Sequence, residues 1–135
     1  KMKDTLITFQ VAKLAKEKGF NGECNHYYNN YPPTINNFPR GLIQGKVYQD
    51  HNGETLEDGE LLCSAPTQSL LQKYLREVHK IDIEAPLVYK LNTREYLIRI
   101  YKNNTEIILS TFHYYKTYEE ALETALYQAL LLIKT

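Results

Sequence analysis

The sequence predicts an α+β fold in which helices pack on an antiparallel sheet, in the order α-β-β-α-β-β-β-α. Three observations carry that expectation. Segments 64–80 and 117–133 repeat apolar residues at helical spacing. Three segments between Ile81 and Tyr114 follow one another closely with strand-like alternation, and Asn52-Gly53 is the strongest short-range turn signal in the chain.

The first helix is predicted over Thr8 to Phe20, TFQVAKLAKEKGF. Thr8 can cap it, and Val11, Leu14 and Ala15 share one face. Lys13, Lys16 and Lys18 suit the solvent side and the negative end of the dipole. Gly19 ends the helix in a left-handed conformation, which lets Phe20 fold back as in a Schellman cap. Residues 21–40, rich in asparagine, tyrosine and proline, have no sustained period and predict a turn-rich connection with a short strand at His26 to Tyr28.

Gly41 to Asp50 alternates around Ile43, Val47 and Tyr48 and predicts a strand, with Leu61 to Ser64 as its return after the turn at His51-Asn52-Gly53. The carboxylates between them, Asp50, Glu54, Glu57, Asp58 and Glu60, lack the spacing of a calcium loop and fit a solvated hairpin tip. In the central helix, Pro66 suits the first turn, Ser64 or Thr67 can cap, and Leu70, Leu71, Tyr74, Leu75 and Val78 form the apolar stripe. Gln68, Gln72, Lys73, Arg76 and Glu77 are expected to face water.

Ile81 to Leu91, Glu95 to Tyr101 and Glu106 to Tyr114 are then expected as a three-stranded meander, with Pro86 marking an edge or a bulge and Asn103-Asn104 a turn. Thr117-Tyr118-Glu119-Glu120 is a capping box for the last helix, whose core face is Leu122, Ala125, Leu126, Ala129, Leu130 and Ile133.

At 135 residues the chain fits a single domain, residues 1–135. Its 16 basic and 16 acidic residues cancel, so no global field draws it to phosphate backbones or anionic membranes, and any such binding needs a local patch. Cys24 and Cys63 are expected as free thiols, since one pair is no disulfide framework in a chain of this size. No run reaches the ~18 apolar residues of a membrane span. The stretch KMKDTLITFQ has no signal-peptide core, which points to the cytoplasm.

No stretch names a reaction. Phosphate-cradling loops and a G-x-S-x-G elbow are absent, and no spacing pairs an acid with a base. Cys24-x-His26 has no second close pair to complete a zinc site, so no metal and no cofactor is expected. The C-terminal α-β-β-β-α order resembles the double-stranded-RNA-binding fold. That family grips phosphates with lysines at the start of the last helix, where this chain has Tyr118-Glu119-Glu120-Ala121-Leu122-Glu123.

Three phrases together carry a broader resemblance: Ala15-Lys16-Glu17-Lys18-Gly19-Phe20-Asn21; Ala65-Pro66-Thr67-Gln68 leading into Lys73-Tyr74-Leu75-Arg76-Glu77-Val78-His79-Lys80-Ile81; and Tyr118-Glu119-Glu120-Ala121-Leu122. The chain resembles short uncharacterised proteins encoded by phages and mobile elements of anaerobic gut bacteria. That resemblance implies one domain and carries no catalytic residue over.

The expected function is therefore non-enzymatic binding of a protein partner or of a second copy. The candidate residues are Tyr27, Tyr28, Tyr31 and Phe38 in the tyrosine-rich stretch, and Leu97, Arg99 and Tyr101 on an exposed sheet face. The alternative is a nucleic-acid-binding module using Lys73, Arg76 and Lys80 on the central helix. An enzyme would need His26, His51, His79 or His113 brought to a carboxylate in a pocket.

Overall fold

The computed structural model describes residues 4–28, 42–49, 63–109 and 113–134. Their order is α1 (Phe9–Glu17), β1 (Cys24–Tyr28), β2 (Leu42–Gln49), β3 (Cys63–Ser64), α2 (Gln68–His79), β4 (Ile81–Glu84), β5 (Leu87–Lys90), β6 (Thr93–Tyr96), β7 (Arg99–Lys102), β8 (Thr105–Leu109) and α3 (Tyr118–Leu131). The α+β class and the order of helices and strand blocks are those the sequence predicts, with the last strand block divided more finely. Two compact units result, Leu6–Thr67 as one and Gln68–Thr135 with Lys1–Thr5 as the other.

In the first unit, Thr8 accepts from the Val11 N–H and starts α1. The end is a Schellman motif: Gly19 N–H donates to Lys16 O, Phe20 N–H donates to Ala15 O, and Gly19 has a φ of 92°. Phe20 is thereby buried, as are Val11, Ala12 and Ala15 of α1. Gly22 lies against its ring, where an added Cβ would come within 2.8 Å of Phe20 Cζ. The sheet order is β2-β1-β3, so β1 takes the centre and pairs antiparallel with both neighbours. The expected hairpin between β2 and β3 is thus corrected. β3 returns to Tyr27 and Tyr28, and the short strand expected at residues 26–28 becomes the middle of the sheet. The acidic run at residues 50–60 lies outside the described residues.

In the second unit, α2 starts at Gln68, four residues later than Ser64. Ser64 belongs to β3 and is buried, so it is no cap, and Pro66 precedes the helix. The Gln68 N–H finds the Thr5 carbonyl at 2.7 Å instead. Leu71 and Leu75 are buried as expected, whereas Val78 is exposed and Gln68 is buried. α3 begins with half of the expected box, the Glu120 N–H donating to Thr117 Oγ1 at 3.1 Å; all six predicted core residues are buried, five of them in α3 and Ile133 just past its end.

The three-strand meander is corrected as well. Two of its long strands break, at Ala85-Pro86 and at Leu97-Ile98, giving a sheet of order β4-β7-β8 and a separate two-stranded ribbon, β5-β6. Proline has no N–H for the ladder, which ends β4. The register Ile83↔Ile100 places both residues inward under α2 and α3, and leaves Asp82, Glu84, Arg99 and Tyr101 on the other face. Asn103 and Asn104, with φ of 52° and 67°, form the expected turn between β7 and β8.

Candidate functional site

The ribbon is the most exposed apolar feature of the described residues. Its base is closed by the Leu97 N–H donating to Pro86 O at 3.0 Å. The register pairs Leu87 with Tyr96, Val88 with Glu95, Tyr89 with Arg94 and Lys90 with Thr93. Alternation then sets Leu87, Tyr89, Arg94 and Tyr96 on one face. Tyr96 and Tyr115 exchange two backbone bonds of 2.8 and 2.9 Å, and the Tyr96 ring meets Tyr118 edge-on at 6.0 Å. An isolated two-stranded hairpin is marginal in water, so this anchoring at one end is what orders it.

The other end is exposed. Tyr89 is 77% and Leu91 93% accessible, and Leu91 forms the turn with a φ of 50°. A left-handed leucine strains the backbone, and an exposed leucine gains nothing from burial, so both terms oppose this residue in the free chain.

On the outer face of sheet β4-β7-β8 lies a concavity of about 440 Å³, lined by Asp82, Ile83, Glu84, Tyr101 and Asn104. Tyr101 sits opposite Asp82 and diagonal to Glu84. Its hydroxyl donates to the Glu84 carboxylate, and that bond is the first cause holding its phenol above the usual range. Arg99 lies 3.5 Å from Glu106, and neither Asp82 nor Glu84 has a cationic partner among the described residues.

A second cavity, of about 360 Å³, opens beside the starts of α2 and α3 at Asp4, Gln68, Ser69, Gln72, Tyr118 and Glu119. Its contacts are structural ties. Ser69 Oγ donates to Asp4 Oδ2 at 2.8 Å, and Gln68 Nε2 donates to Glu119 O and Glu123 Oε1 at 3.0 and 2.9 Å.

The predicted site residues fare unevenly. Tyr27 and Tyr28 are half-buried in β1, and Tyr28 is committed internally: its hydroxyl donates to Ile7 O at 2.7 Å and its ring meets Phe9 edge-on at 5.6 Å. Tyr31 and Phe38 lie outside the described residues. Leu97 is half-buried in the link between β6 and β7, which corrects its place on an exposed face, whereas Arg99 and Tyr101 do lie on the outer face. Lys73 and Arg76 are exposed on α2, and Lys80, also exposed, follows the helix with a φ of 57°. Lys73 Nζ is 4.0 Å from Glu77 and Lys80 Nζ donates to the Glu77 carbonyl.

Sequence reasoning missed Leu87, Tyr89 and Leu91 as a site because it placed them inside one long strand. Pro86 was the available signal that the strand stops and a new element begins.

His79 Nε2 lies 3.2 Å from the Tyr74 hydroxyl, His113 stacks obliquely on Tyr115, and His26 lies in β1. Neither cavity is lined by a histidine. Among the described residues no group of three or more His, Cys, Asp or Glu is placed to hold a metal ion. Cys24 and Cys63 are both buried and form no disulfide; burial pushes the Cys63 thiol up, against the opposing pull of Lys16 and Lys13. No helix among the described residues is long and apolar enough to cross a membrane.

Comparisons with protein-family models, curated proteins and solved structures match nothing.

Proposed function

We propose that this chain is a non-enzymatic protein-interaction domain that engages a protein surface through the tip of ribbon β5-β6. The supporting observation is Leu91, apolar, 93% exposed and left-handed at the end of an anchored two-stranded ribbon. Backbone strain without a folding benefit is typical of positions retained for contact, and Leu87 and Tyr89 extend the apolar surface along the same ribbon.

Photo-crosslinking tests this reading. Benzoylphenylalanine incorporated at position 89 is expected to form protein adducts in the cells that make the chain, and the same probe at position 128, exposed on α3, is not. Equal labelling from both positions would overturn it.

Nucleic-acid binding is the second reading, favoured by the exposure of Lys73 and Arg76 on α2 and of Lys80 just past its end. It requires affinity for labelled DNA or RNA that falls steeply with salt and is lost in the Lys73→Glu, Arg76→Glu double variant. Unchanged anisotropy at low salt would remove it.

A further inference from the structure

The chain carries both halves of a contact. We propose that the partner of the ribbon is a second copy of this chain, with Tyr89 and Leu91 entering the concavity bounded by Asp82, Ile83, Glu84, Tyr101 and Asn104, and Arg94 facing the Asp82 and Glu84 carboxylates. This rests on the ribbon being the interacting element, and adds what it docks against.

Charge complementarity selects this occupant. Arg94 lies on the ribbon face that bears Tyr89, is exposed, and has no anionic partner among the described residues. Asp82 and Glu84 are the reciprocal case, two carboxylates without a cation on a face whose Arg99 is already close to Glu106. The shapes agree too. The ribbon ends in one apolar side chain on a two-residue turn, and the concavity has room for it, with the body of the Tyr101 ring as its apolar lining and carboxylates at its rim.

The two surfaces are different patches of one chain, so the contact is heterologous. Each copy offers a ribbon and a concavity, and association proceeds head to tail into a ring or an open string. A ribbon tip buries less than the ~1,200 Å² of a stable interface, so the contact is weak and concentration-dependent. Its ion pairs make it weaken with added salt.

The experiment is sedimentation velocity on the purified full chain over rising concentration, at low and moderate salt. The wild type is expected to show a sedimentation coefficient that climbs with concentration, less so in salt. A Leu91→Asn, Arg94→Glu variant lacks the ribbon contact, and a Glu84→Arg variant lacks the receiving one. Each alone is expected to sediment as a monomer at every concentration. Their equimolar mixture is expected to form a dimer and stop there, because one intact ribbon meets one intact concavity. Asp82→Lys replaces Glu84→Arg if circular dichroism shows that loss of the Tyr101 hydrogen bond unsettles the sheet. A monomeric wild type, or a mixture no larger than its components, overturns the proposal. In either case adducts from position 89 to a different protein would leave the ribbon reading standing, and their absence would remove both.

Discussion

The Gln68 carboxamide donates to the backbone carbonyl of Glu119 at 3.0 Å and, with the same nitrogen, to Glu123 Oε1 at 2.9 Å. A residue expected to face water on α2 is instead 4% exposed and ties the start of that helix to the first turns of α3. Gln68→Leu leaves the Glu119 carbonyl and the Glu123 carboxylate without this donor. It should destabilise the fold by about 1–3 kcal/mol in urea unfolding. Glu123→Gln keeps an oxygen acceptor and should cost under about 1 kcal/mol. Equal effects of the two would mean that the tie contributes little.

Leu91 makes the opposite prediction. Asparagine tolerates the left-handed region, and a side chain that is 93% exposed forfeits almost no burial when replaced. Leu91→Asn should therefore raise stability by about 1 kcal/mol. Thermal or urea unfolding of the monomer at low concentration reads it directly. A loss of stability would show that the leucine is packed in solution.

The Tyr101 phenol is held above its ordinary range first by its bond to Glu84. A group with a raised folded value contributes stability that is fully present below its unfolded value, about pH 10 for tyrosine, and lost as pH rises through the folded one. Wild type and Tyr101→Phe should therefore differ by a constant urea midpoint up to about pH 10 and converge above it. A gap that stays flat through about pH 11 would remove the hydrogen bond from the account.

Cys63 should be a poor nucleophile in the folded chain, since burial raises its thiol and shields it. Labelling by a disulfide reagent at mildly alkaline pH should be slow for both cysteines and become fast over the same denaturant range that unfolds the protein. Fast labelling of the native chain would contradict the buried placement.

Local chemistry was legible without the fold. Thr8, Gly19 and Phe20 delimit α1, Thr117 starts α3, and Asn103-Asn104 turns β7 into β8, because caps and tight turns are settled by residues within a few positions of one another. The apolar face of α3 was equally readable, its six residues repeating at helical spacing with no competing partner. What sequence left open depended on pairing at a distance. Ile81 to Leu91 keeps its alternation on both sides of Pro86, a residue that fits an edge or a bulge as well as a break; the pairing of Ile83 with Ile100 and of Leu87 with Tyr96 in separate sheets decides for two strands. That division lifts Tyr89 and Leu91 away from the core side of a strand and onto an exposed ribbon. Gln68 was misread for the same reason, since a polar residue on an amphipathic helix is buried only when another element supplies acceptors, and those came from α3, some fifty residues on. The sequence alone determined the two ends of α1, the start of α3 and the turn at Asn103-Asn104. Tertiary structure decided which strands pair and which polar side chains are buried, because both depend on partners distant in the chain.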